Sequence, residues 1–105
     1  MELGVKQRLV LLNVLADVRG NLTEIRILRE LREDLSFSDE EAVALAFQEQ
    51  GGRVQWDDEN EQPKDVPIGD AARGIIVRQI RQLDREGQMT PDMLEIIDLF
   101  PEVEG

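Results

Sequence analysis

The chain has 105 residues, the usual size of one compact domain, and contains neither cysteine nor histidine. This composition excludes disulfides, thiolate zinc sites and the common nucleophile–base pairs of hydrolases. Its 23 acidic and 12 basic side chains give a net charge of −11, which creates a field that repels the phosphate backbone of nucleic acids.

The negative charge is concentrated in the middle of the chain. Residues 1–35 carry six acids and six bases, residues 36–68 carry nine and two, and residues 69–105 carry eight and four. The net charges of the three segments are therefore 0, −7 and −4. Solubility alone is a common reason for such acidity, and contact with a basic partner is the functional alternative.

The first predicted element is a helix from Val5 to Ala16, whose apolar surface is broad enough to be buried on more than one side. Its apolar run is too short to cross a bilayer and lacks the cleavage pattern of a signal peptide. The absence of cysteine fits a reducing compartment. We therefore expect a cytoplasmic protein with no membrane association.

Two capping pairs predict two further helices. Asn21 with Glu24 precedes an apolar stripe that continues to Leu35. Ser38 with Glu41 forms a capping box, which predicts a third helix over residues 39–48 that ends before Gly51-Gly52.

From residue 53 the apolar residues follow the two-residue period of a β-strand instead of the helical period. Residues 53–56 alternate polar and apolar side chains, residues 57–63 form a polar loop, and residues 64–68 return as an edge strand containing Pro67. The pattern predicts a β-hairpin over about residues 53–68.

Helical spacing resumes over residues 72–83, and Thr90-Pro91 starts a final helix that Pro101 stops. Residues 101–105 are expected to be frayed. The predicted fold is a single mainly α (α+β) domain over residues 1–105, with about five helices and one small β-hairpin in a winged-helix-like order.

In DNA-binding winged helices the third helix enters the major groove with basic or amide side chains. Here the corresponding helix begins with three acids, Asp39, Glu40 and Glu41, and contains neither lysine nor arginine. The order of elements is therefore similar, while the charge argues against DNA reading at these positions.

The candidate partner-binding residues form an acidic set, a basic set and one aromatic residue. The acidic set is Asp39, Glu40, Glu41, Asp57, Asp58, Glu59 and Glu61, and the basic set is Arg78, Arg81 and Arg85. Trp56 is either a core residue or, if exposed, an interface anchor. The acids at 57–61 do not match a calcium loop, because Gln62 stands where that loop needs glycine.

Four segments of the sequence carry a resemblance to known proteins. They are Arg8–Leu15, Ile27–Arg32, Phe37–Glu41 and Val54–Trp56. Together they resemble a group of short uncharacterised proteins of tailed phages and prophages, over about residues 6–100. The resemblance implies a phage-encoded accessory or structural protein in a bacterial cytoplasm, and it supplies no catalytic residues.

These observations predict a non-enzymatic, acidic protein-interaction module without cofactor or metal. In this role it would inhibit a host protein, for example a basic nucleic-acid-binding protein whose DNA the acids imitate. One alternative is a self-assembling structural or assembly protein of a virion, acting as a homo-oligomer. A second is a winged-helix transcription regulator, which the charge opposes because direct nucleic-acid binding is disfavoured.

Overall fold

The computed structural model describes residues 1–57, 59 and 61–105, apart from the side chain of Gln50. It is a mainly helical α+β structure, as predicted. The helices are α1 (Val5–Val14), α2 (Leu22–Leu35), α3 (Asp39–Ala44), α4 (Asp70–Arg85) and the single-turn α5 (Leu94–Ile97). The strands are β1 (Glu2–Leu3), β2 (Gln48–Gln50), β3 (Arg53–Gln55) and β4 (Lys64–Asp65).

Both predicted capping boxes are confirmed. The side chain of Asn21 accepts from the backbone N–H of Glu24 at 2.9 Å, and the carboxylate of Glu24 accepts from that of Asn21 at 3.1 Å. Ser38 and Glu41 make the same reciprocal pair at 3.1 and 3.2 Å. Each pair satisfies two amide groups that the first turn of a helix leaves without partners.

The hairpin is shifted from its predicted position. Strand β2 pairs with β3 in an antiparallel register that places Gln48 opposite Gln55. The turn between them is Gly51-Gly52, with φ of +59° and +80°, which suits the two-residue turns of tight hairpins. Helix α3 ends earlier than expected, and Ala46 with φ of +50° redirects the chain into β2.

The prediction that residues 64–68 return against β3 is therefore wrong. Strand β4 instead pairs with β1, with Leu3 opposite Lys64. The backbone N–H of Val66 also donates to the carbonyl of Met1 at 2.8 Å, and Leu3 and Val66 are fully buried. Burying these two apolar side chains favours the long-range pairing.

The core lies between α1, α2, α4 and the segment around α5. Its buried side chains are almost all aliphatic: Leu3, Val10, Leu11, Val14, Leu15, Leu28, Leu31, Leu35, Val66, Ala72, Ile75, Ile76, Val77, Ile80, Met93, Ile96, Ile97 and Phe100. The broad apolar surface predicted for α1 is buried here. Helix α3 buries none of its own residues, and it lies outside this core with the β2–β3 hairpin.

The expectation that residues 101–105 are frayed is wrong for the first three of them. Pro101–Val103 form a 3₁₀ helix after the fully buried Phe100. Arg73 donates to the carboxylate of Glu102 with two of its nitrogens, and to the carbonyl of Leu99 at 3.0 Å. These contacts fix the turn against α4.

Candidate functional site

The most buried polar side chain among the described residues is Arg8, which is 1% exposed. It occupies the core-facing stripe of α1 between Val5 and Leu11. Its Nε donates to the carbonyl of Leu35 at 3.1 Å, and its Nη2 donates to that of Ser36 at 2.6 Å. Arg8 therefore satisfies carbonyl groups at the C-terminal end of α2.

The remaining donors of Arg8 bind Glu41 in α3. Nη1 lies 2.7 Å from Oε2 of this carboxylate, and Nη2 lies 3.4 Å from Oε1. The hydrogen bond from Arg8 is the main reason that the pKa of Glu41 is lowered, with a smaller contribution from the backbone of Ser38, while partial burial opposes the shift. The carboxylate of Glu41 is thus bonded inside the fold, and its contact with a partner stays a prediction.

Three aromatic residues continue outward from Arg8. The guanidinium carbon of Arg8 lies 3.9 Å from the centroid of the Phe37 ring. Phe37 packs edge-on against Phe47 at 5.0 Å, and Phe47 packs against Trp56 at 6.5 Å. We call Arg8, Phe37, Phe47 and Trp56 the aromatic column, because each member contacts the next from α1 to the base of the hairpin.

Trp56 is half-buried, so it is neither a full core residue nor a freely exposed anchor. Its indole N–H is shielded from solvent and has no acceptor within the part of the chain that the structure describes. Val54 lies in β3, two residues before Trp56 and closer to the hairpin tip, and the two-residue period of an extended chain puts the two residues on one face. Val54 is 44% exposed, so the apolar face of the hairpin extends from the column into solvent.

Glu61 is a second acid with a structural role. Its Oε1 accepts from the backbone N–H of Val5 at 2.6 Å, at the positive end of the α1 dipole. A Cβ on Gly4 would lie 2.9 Å from the same oxygen, so a larger residue there would require the end of the Glu61 side chain to shift. Glu61 therefore caps α1, and its membership of an acidic contact face stays a prediction.

The other members of the acidic set differ in their environments. Asp39, Glu40 and Glu59 are exposed. Asp57 is half-buried, and its side chain accepts from the backbone N–H of Glu59 at 3.0 Å. Asp58 lies outside the described residues. The acids that the sequence grouped as one face are thus divided between internal bonds and exposed positions.

Within α3, Val43 lies beside the exposed acids and is 80% exposed. Ala44 is exposed as well. We call residues 37–57 the α3–hairpin unit. It carries five acids against one base, Arg53, and its exposed large apolar side chains are Val43 and Val54.

The basic set lies on α4, where it lines one groove together with Arg73. Arg78 pairs with Glu24 in α2, and Arg81 donates to the carbonyls of Glu102 and Gly105. The side chain of Arg85 is exposed and takes part in no hydrogen bond or ion pair among the described residues. The structure therefore brings the three arginines together. Arg78 and Arg81 are bonded within the chain, whereas the side chain of Arg85 is available to a partner.

The described residues contain no group of three or more carboxylates placed to hold a metal ion. Over the same part of the chain, no helix is both long enough and apolar enough to cross a membrane. Comparison of the chain with protein-family models, curated proteins and solved structures finds no match.

Proposed function

We propose that the protein is a non-enzymatic interaction module whose α3–hairpin unit docks on a basic surface of another protein. The observation that carries the proposal is the 80% exposure of Val43 next to the exposed acids Asp39 and Glu40. Protein interfaces commonly combine an apolar centre with a polar rim. A basic partner would complement the acids of this unit.

The way the unit is attached supports this role. Helix α3 buries no residue of its own, and it is held by Glu41 on Arg8 and by the aromatic column. A preorganised surface loses less conformational entropy on binding than a mobile one. The column thus provides a rigid base for an outward-facing apolar and acidic surface.

In a DNA-binding winged helix, the elements that correspond to α3 and the hairpin would face DNA. The acids of α3 would repel phosphate groups, so a protein target suits this surface better than a nucleic acid. Imitation of DNA is a narrower version of the proposal. It loses support because Glu41 and Glu61 are bonded internally and cannot both present free carboxylates to a partner. Action on a host protein in a bacterial cytoplasm remains the setting that the phage resemblance implies.

The test is a pull-down from bacterial lysate with the tagged chain, compared between the native protein and an Asp39→Asn, Glu40→Gln, Val43→Ser variant. The matched control is Asp17→Asn with Glu30→Gln, which removes the same charge from exposed positions outside the α3–hairpin unit. We expect one basic protein to bind the native chain and the control but not the variant, and to dissociate at high salt.

Two results would refute the proposal. Equal recovery of partners by the variant and the native chain would show that the α3–hairpin unit is not the contact surface. Recovery of the chain's own untagged copy alone, insensitive to salt, would support the alternative of a self-assembling structural component.

A further inference from the structure

A second surface of the molecule has the opposite charge character. The groove between α4 and the 3₁₀ turn Pro101–Val103 has a volume of about 600 Å³ and is open to solvent. Four arginines line it, and its lining acids are Asp70, Asp84 and Glu102. Gly74 and Val77 also line the groove, between the charged side chains, and contribute no charge. The lining thus carries a net charge of +1, in a chain whose net charge is −11.

One end of this groove already holds an acidic peptide segment, which belongs to the chain itself. Arg73 donates to both carboxylate oxygens of Glu102, a fork-to-fork geometry that favours arginine over lysine. Arg81 donates to the backbone carbonyl of Glu102. Val103 is half-buried in the same wall. The groove therefore recognises a carboxylate, a backbone carbonyl and a small apolar side chain in succession.

The other end retains unused donors. Arg85 forms no ion pair among the described residues, and Arg78 is half-exposed with Glu24 as its partner. Arg78, Arg81 and Arg85 are spaced three and four residues apart, so they lie along one face of α4. Further carboxylates placed along this face would meet the same kind of donors that hold Glu102.

We propose that the α4 groove is a docking site for an acidic peptide segment of a partner protein, bound beside the chain's own Glu102. Charge complementarity with the arginines along α4 identifies this occupant, and the Arg73–Glu102 pair shows how the groove binds a carboxylate. The site is separate from the α3–hairpin unit, so this inference does not depend on the proposed function. A chain with both surfaces would connect a basic partner to an acidic one.

Gly74 allows the groove to be filled without disturbing the fold. A Cβ built on Gly74 has no atom within 4 Å, so a larger side chain there projects into open space. Gly74→Leu would therefore obstruct the groove sterically, and Arg85→Glu would reverse the charge of its free donor. The two variants perturb the site by different physical means.

The experiment measures binding of a fluorescein-labelled peptide to the full chain by fluorescence anisotropy at low salt. The probe is two consecutive copies of residues 102–105, Glu-Val-Glu-Gly. We expect saturable binding that Arg85→Glu and Gly74→Leu each weaken by about tenfold, as removal of a contact charge or of contact space does. The control Arg26→Glu makes the same charge change on an exposed arginine of α2 and leaves the affinity unchanged.

Circular dichroism confirms that each variant is folded before binding is measured. No saturable binding by the native chain would overturn the proposal. Equal weakening by Arg26→Glu would do the same, because it would indicate attraction to net charge instead of to the groove. So would binding of a probe in which glutamine replaces every glutamate with the same affinity as the acidic probe.

Discussion

Arg8 and Glu41 lie 33 residues apart in the sequence, and Nη1 of the arginine is 2.7 Å from Oε2 of the glutamate. The same carboxylate accepts from the backbone N–H of Ser38 at 3.2 Å. Glu41 thus closes the capping box of α3 and fixes that helix to α1 in one interaction. This pair and the aromatic column hold the α3–hairpin unit in place, because α3 buries no side chain of its own.

We expect Arg8→Met to destabilise the protein strongly. Methionine keeps most of the volume but leaves Glu41 and the carbonyls of Leu35 and Ser36 without their donors. Breaking a buried pair costs about 3–5 kcal/mol, and we expect about 2–4 here because the Glu41 side chain is 35% exposed. Urea unfolding followed by circular dichroism and by fluorescence of the single tryptophan, Trp56, measures the loss.

The control for this prediction is Arg26→Met, which removes an exposed arginine of α2. Its free energy of unfolding should change by less than about 0.5 kcal/mol. Similar stability of the Arg8→Met and Arg26→Met proteins would show that the buried arginine does not hold the two helices together.

The role of Arg8 shows which part of the site the sequence could reveal. Arg8 falls on the same helical stripe as Val5, Leu11 and Leu15, all of which are buried. A charge at a core position of the apolar period was a signal for a buried ion pair, but its partner could not be identified because many acids were available. Capping boxes, in contrast, are local, and both were predicted correctly.

The strands show the same division between local and long-range information. Gly51-Gly52 fitted both a helix end and a hairpin turn, and only the positive φ at Ala46 shows where α3 stops. The pairing of β1 with β4 joins segments at opposite ends of the chain's first 65 residues. Two-residue strands carry too little pattern to predict such a contact. The contact of Glu61 with Val5 was hidden for the same reason.

The Arg73–Glu102 pair predicts a pH dependence of stability. The hydrogen bond from Arg73 lowers the pKa of Glu102 to about 2. Because the folded-state pKa lies below the unfolded one, near 4.5, the stabilisation is present above that value and is lost as the pH falls toward 2. We expect the difference in urea midpoint between the native chain and Glu102→Gln to shrink over this range.

Carbon-13 NMR of the glutamate carboxyls provides an independent measurement of this shift. The Glu102 resonance should titrate with a pKa well below 4.5, the ordinary value for a glutamate. High salt should reduce the shift, because both members of the pair are partly exposed. A Glu102 midpoint near 4.5 would contradict the paired geometry.

We expect Glu61→Gln to keep part of the cap on α1 and Glu61→Ala to remove it. The alanine variant leaves the backbone N–H of Val5 without its 2.6 Å acceptor, and loss of such a cap costs about 0.5–2 kcal/mol. Urea unfolding of both variants measures the difference. Equal stability of Glu61→Ala and the native chain would show that the first turn of α1 needs no acceptor from this loop.

Alanine substitutions at the glycine of α4 and at a glycine of the hairpin turn should change the free energy of unfolding in opposite directions. Gly74 lies inside α4 at an ordinary helical position, and an added Cβ meets no atom within 4 Å. Gly74→Ala should therefore raise the free energy of unfolding by about 0.5–1 kcal/mol, since glycine is the poorer helix former. Gly52 has a φ of +80°, so Gly52→Ala should lower it by about 1 kcal/mol or more.

Thermal and urea unfolding of Gly74→Ala and Gly52→Ala test whether the two free energies of unfolding change in opposite directions. Both variants carry the same chemical change. Both glycines have open space around the added methyl group, so sterics cannot account for a difference in sign. Backbone conformation alone separates them, because alanine stabilises a helix and is strained at positive φ. A stabilising Gly52→Ala would mean that the turn does not hold this φ in solution, and that β2 and β3 are connected differently.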